Sequence, residues 1–129
     1  TIYCNERGCI MTQIKKQFDN VMDGIDNMLN AAAYDYSLGG YTHRTPDDFR
    51  EKFMIKEGQK YIKIGRVSDH TQGRMGQVWG FVVNTDTDSK FKKGDLLKAA
   101  GFNAPARNAA RGNVLEGGFG IRWTGPLYL

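Results

Sequence analysis

Apolar residues recur at spacings of three and four from Met11 to about Tyr36: Ile14, Phe18, Val21, Met22, Ile25, Met28, Leu29, Ala32 and Ala33. That spacing draws one stripe along an α-helix, with Lys15, Lys16, Asp19, Asn20, Asp23, Asp26, Asn27 and Asn30 mostly on the other face. Thr12 is placed to cap the start and Gly39-Gly40 to stop the run, while Gly24 weakens its middle slightly. A stripe of this kind is usually the face that a helix packs on its own sheet. Thr45-Pro46-Asp47-Asp48 opens a second, short helix, with Thr45 as cap, Pro46 at the first helical position and the two acids facing the positive helix end. Phe49 and Phe53 give that helix a core face, and it ends near Met54.

The period then changes to two. Tyr61 to Val67 and Gln77 to Asn84 read as strands joined by the polar loop from Ser68 to Gly76, which predicts an antiparallel pair. Lys92-Lys93-Gly94-Asp95 is a turn into a third strand, Leu96 to Ala100. Asn103-Ala104-Pro105 opens a short helix, Ala106 to Arg111, closed by Gly112. Asn113-Val114-Leu115 and Ile121-Arg122-Trp123 are short strands about the turn Glu116 to Gly120. The fold class expected is α+β: a long N-terminal amphipathic helix and a short helix packed on a curved antiparallel sheet or a small, partly open barrel. Residues 1–10 form an N-terminal extension and residues 11–129 a single domain.

Length and composition fit that picture, since 129 residues suffice for one core without staples. No apolar run approaches the roughly 20 residues needed to span a bilayer, and no secretory signal opens the chain. A cytoplasmic protein without membrane contact is therefore expected. The net charge of +4 is unevenly placed. Residues 1–60 hold eight Lys and Arg against nine Asp and Glu, whereas residues 61–129 hold ten against five. The positive excess belongs to the second half, as an acidic partner such as nucleic acid requires.

Most candidate chemistry has a structural explanation. Cys4 and Cys9 would close only a very short loop, and with just His43 and His70 in the chain they find no second ligand pair for zinc. Asp86-x-Asp88 resembles the start of a calcium loop, but Phe91 and Leu97 stand where the glycine and the closing glutamate belong. The glycines match no phosphate-binding fingerprint. Neither a metal nor a cofactor is expected. Asp69 with His70 is the one pair poised for acid–base work, with no recognised nucleophile beside it.

The segment Lys90 to Arg122 carries seven basic residues against Asp95 and Glu116, with Phe91, Phe102 and Phe119 interspersed and Trp123 next to it. Cationic side chains attract a phosphate backbone and rings stack on bases, so Lys92, Lys93, Lys98, Arg107, Arg111 and Arg122 are candidate nucleic-acid-binding residues. Arg107 and Arg111, four apart, project from one face if the helix between them forms. Phe91-Lys-Lys-Gly-Asp-Leu-Leu-Lys-Ala-Ala, Pro105-Ala-Arg-Asn-Ala-Ala-Arg-Gly-Asn-Val and the ending Trp123-Thr-Gly-Pro-Leu-Tyr-Leu resemble small uncharacterised proteins of tailed phages. That resemblance covers the last third of the chain and implies the cytoplasm of a bacterial host, with no activity attached. The leading expectation is a small non-enzymatic basic protein that contacts nucleic acid through its C-terminal half. The alternative is a protein-interaction or assembly protein, either a host-factor inhibitor or a virion or oligomer component, using the Met-rich front helix and the tail Leu127-Tyr128-Leu129. An enzyme using Asp69 and His70 is third.

Overall fold

A computed structural model describes residues 2–5, 8–14, 18–38, 45–67 and 69–126. Its elements in chain order are β1 (Ile2–Asn5), β2 (Gly8–Ile14), α1 (Val21–Ser37), α2 (Pro46–Glu51), β3 (Phe53–Glu57), β4 (Tyr61–Arg66), a 3₁₀ turn (Asp69–Thr71), β5 (Gln77–Val83), β6 (Leu96–Leu97) and β7 (Phe119–Ile121). Two antiparallel sheets result, one ordered β1-β2-β7 and an open one ordered β3-β4-β5-β6. The class is α+β, as the alternation of periods implies.

The long helix is shorter than its apolar spacing predicts. Met11 to Ile14 lie in β2, paired with β7 through Thr12↔Ile121 and Ile14↔Phe119, so Thr12 is no cap. The helix starts instead after Asn20, whose side chain accepts from the amides of Met22 at 2.7 Å and Asp23 at 3.4 Å. Asparagine is among the best N-caps, and the Phe18 amide is committed elsewhere, donating to the Leu115 carbonyl at 2.9 Å. Leu38 is the C-cap; Gly39-Gly40 lie outside the described residues. Residues 2–5 and 8–10, read as an extension, belong to β1 and β2.

The stripe itself is core. Val21, Ile25, Met28, Leu29, Ala32 and Ala33 are buried against Ile62, Ile64, Val82 and Leu96 of the larger sheet and Ile121 of β7. Gly24 has a packing reason: a Cβ there would lie 2.4 Å from the Val114 carbonyl oxygen, so the helix passes directly over the backbone that precedes β7. The second helix is capped by Thr45 with Pro46 in its first turn, and Phe49 is fully buried. It ends at Glu51, because Phe53 to Glu57 pair with β4 from Phe53↔Arg66 to Glu57↔Ile62. Phe53 still reaches the core, its ring 4.7 Å from that of Phe49 and 5.6 Å from that of Trp79.

The other face of the larger sheet is also covered over β5 and β6. Phe81, Val83 and Leu97 face a second core with Phe91, and Tyr61, Val78, Ala99 and Ala110 pack around it. Its lid is the excursion between β5 and β7, and here the helix expected from Ala106 to Arg111 does not form. A helix would direct the Arg111 amide to the Arg107 carbonyl. Instead the Arg111 amide donates to Leu96 and the Ala106 amide to Lys98, both at 2.7 Å, while the Lys90 ammonium takes the carbonyls of Arg107 and Asn108. The segment therefore returns extended beside β6, bridged at Ala99↔Pro105 and Asp95↔Asn113. Tertiary hydrogen bonds outweigh the helix propensity of its alanines. The third strand is correspondingly short, Leu96–Leu97, residues 114–116 form a turn, and the last strand is Phe119–Ile121.

Candidate functional site

The six basic residues singled out in the sequence take different places. Arg107 serves the fold: its guanidinium grips both oxygens of Asp88 at 2.8 and 2.9 Å and donates to the Tyr61 hydroxyl. Asp88 also accepts from the amides of Lys90 and Phe91, and its side chain is only 1% exposed. These bonds, the guanidinium's first, hold the Asp88 carboxyl well below the usual carboxylate range. Lys92 pairs with Glu116 on the surface. Lys93, half-buried, lines a recess with Asp19, Asn20, Met22 and Glu57, an acidic setting. Lys98 donates to the Pro126 carbonyl at 2.9 Å, and burial, then Arg111, lowers its pKa. Arg111 donates to the Ala109 carbonyl and the Asn108 side chain. Arg122 is exposed in the bridge Arg122↔Gly125 just beyond β7. Among the six, Lys98 and Arg111 are neighbours and Lys92 adjoins Lys93; the expected one-face pairing of Arg107 with Arg111 falls with the helix.

A different group converges on the outer face of β3 and β4. Register places Lys56 directly across from Lys63, so both side chains leave the same face of the sheet. The turn at Ala100–Ala104, closed by the Ala100 and Gly101 amides on the Ala104 carbonyl, brings Phe102 over that face. The Lys63 ammonium sits 3.6 Å from the centroid of the Phe102 ring and donates to the Asn103 side chain at 3.1 Å. Phe102 is nonetheless 49% exposed, one of two large apolar residues presented to solvent among the described residues, with Leu38. Burial under the turn, and then the charge of Lys56, lowers the pKa of Lys63. Among the described residues neither lysine pairs with a carboxylate. The result is two uncompensated cations beside a half-open aromatic ring. Phe102 stands out in the sequence and the lysines do not, because only strand register shows that residues seven apart in the chain are neighbours.

A cleft of about 450 Å³ opens nearby, between the β3–β4 turn (Gln59, Lys60) and the loop after β5 (Thr85, Thr87, Asp88, Ser89). His70 lies elsewhere, exposed in the 3₁₀ turn and beside a recess lined by Thr71, Arg74 and Met75. The Asp69 side chain lies outside the described residues, and among the described residues the recess supplies no carboxylate or thiol to work with the imidazole. No group of three His, Cys, Asp or Glu among the described residues could hold a metal, and no helix described is long and apolar enough to cross a membrane. No match is found among curated proteins or among solved structures. A family model does match, over residues 4–125, nearly the whole chain, and the protein thus belongs to a family of unknown function, DUF7717.

Proposed function

We propose that this protein is a small non-enzymatic module that binds single-stranded nucleic acid on the outer face of β3 and β4. The observation that carries the reading is Phe102, half-exposed over a β-sheet face beside Lys63 and Lys56. Single strands are held by this combination, since every base has a face to stack and every nucleotide a charge to neutralise. The C-terminal half contributes the ring and the first half one of the cations. The alternative of assembly through the front helix loses its main motive, because the apolar stripe of α1 is buried in its own core; the tail Leu127-Tyr128-Leu129 lies outside the described residues. The resemblance of the last third to tailed-phage proteins suggests a bacterial cytoplasm as the setting. The test is fluorescence anisotropy with a labelled unstructured oligonucleotide at about 50 and 200 mM salt, where counterion release predicts weaker binding at the higher concentration. No binding at the lower salt, or binding indifferent to salt, overturns the proposal.

A further inference from the structure

We infer that the cleft between the β3–β4 turn and the loop after β5 is a phosphate site, occupied by a phosphoryl group either at the end of a bound strand or free in solution. The first source rests on the function proposed above; the second does not. The cleft's volume of about 450 Å³ lies in the small-ligand range of roughly 300–1,000 Å³. Its walls are fixed to each other: the Asn84 amide donates to the Lys60 carbonyl and the Asn84 side chain to the Gly58 carbonyl, each at 2.8 Å.

The lining decides the ligand's chemistry. Lys60 supplies a cation, Gln59 an amide and Thr85, Thr87 and Ser89 hydroxyls, with no apolar side chain among them. Asp88 is the one carboxylate in the lining, and it is spent: both oxygens are engaged by Arg107 and two backbone amides. It therefore offers nothing to a metal ion, and Arg107 cancels its charge. Asp86, exposed on the same loop, is not part of the lining. The Thr85 and Thr87 hydroxyls are 2.9 Å apart, and Thr85 also accepts from the Thr87 amide at 3.2 Å. One hydroxyl of the pair donates to the other, which leaves the second hydrogen for an outside acceptor. Donors together with one ammonium that no carboxylate pairs among the described residues match an oxyanion. The cleft also adjoins the proposed face, because the Lys60 ammonium lies 5.4 Å from the centroid of Tyr61, two residues before Lys63 on β4.

The experiment compares a 5′-phosphorylated with a 5′-hydroxyl oligonucleotide in the anisotropy assay. In parallel, inorganic phosphate is titrated into the isotopically labelled protein and followed by amide NMR. The 5′-phosphate is expected to tighten binding roughly twofold to fivefold, as a partly exposed charged contact does. That gain should disappear in both Lys60→Gln and Ser89→Ala, whose folding is checked by their melting curves. Inorganic phosphate should shift the amides of residues 59–60 and 85–89. Equal binding of the two oligonucleotides with no shift by inorganic phosphate overturns the phosphate site and leaves the strand-binding face standing. Shifts by inorganic phosphate without binding of either oligonucleotide uphold the cleft and overturn the nucleic-acid reading.

Discussion

Replacing Phe102 by alanine and Lys63 by glutamine separates the stacking half of the proposed face from its electrostatic half. Stacking of a base on an aromatic side chain contributes about 1–3 kcal/mol. The Lys63 ammonium, 3.6 Å from the ring centroid, must give up a cation–π contact of about 0.5–1 kcal/mol if the base stacks on that side. With the cation–π contact taken at about 0.5 kcal/mol, the low end for an exposed site, the net loss in Phe102→Ala is about 0.5–2.5 kcal/mol, or roughly twofold to seventyfold in Kd. Its dependence on salt should not change, because no charge is removed. Lys63→Gln removes one cation and should lower the slope of log K against log salt by about 0.7 in magnitude; with Lys56→Gln added, the reduction should reach about 1.4. The assay is oligonucleotide anisotropy at four salt concentrations for the three variants and the parent. Because Phe102 is half exposed, Phe102→Ala should stay within about 1 kcal/mol of the parent in urea unfolding, so lost binding cannot be ascribed to lost folding. Unchanged affinity in Phe102→Ala refutes the stacking platform. A salt slope that Lys63→Gln leaves untouched refutes the electrostatic half.

Three further outcomes follow from the same geometry. Gly24→Ala should destabilise by about 1–3 kcal/mol in urea unfolding, since its Cβ would meet the Val114 carbonyl at 2.4 Å; the gain of about 1 kcal/mol expected in an unencumbered helix would contradict this packing. Asp88→Asn should lower the melting temperature by an amount that is constant above about pH 5. The Asp88 pKa is depressed in the folded state by Arg107 and two amides, so the unfolded chain protonates first, near pH 4, and the wild-type advantage should shrink as pH falls below that value; a gap that persists undiminished to about pH 2.5 would contradict the Asp88–Arg107 pairing. Oligonucleotide affinity should fall as pH rises toward about 10, and fall less in Lys63→Gln, because burial and Lys56 favour the neutral amine below the ordinary 10.5; identical pH profiles would remove Lys63 from the interface.

What was legible in the sequence was what depends on local chemistry. The cap at Thr45, the strands β4 and β5 and the buried stripe from Val21 to Ala33 follow from spacing and side-chain type, and the structure contains them. The errors share one cause, competition between local preference and distant partners. Ile14 and Phe18 extend the helical spacing, yet Thr12 to Ile14 find hydrogen bonds on β7, more than a hundred residues away in the chain. Ala106 to Arg111 have helical composition, yet their amides and carbonyls are claimed by Leu96, Lys98 and Lys90. Neither partner is visible in a window of a dozen residues.

The site shows the same limit more sharply. Counting basic residues from Lys90 to Arg122 finds charge but not what the charge is doing. Arg107 is consumed by Asp88, a residue noticed only as a failed calcium ligand, and Lys92 by Glu116. Such pairing leaves the net charge unchanged, but it commits two of the seven basic residues to internal partners. Lys56 and Lys63, in contrast, stand in sequence beside glutamate and isoleucine and attract no attention. Pairing of β3 with β4 sets them side by side, and a turn forty residues later lays Phe102 and Asn103 against Lys63. A binding face needs cations that the fold leaves uncompensated, and that property depends on which carboxylates the fold brings near. Charge density along a sequence locates a basic region, whereas the surplus available to a ligand becomes visible only after the internal pairs have been subtracted.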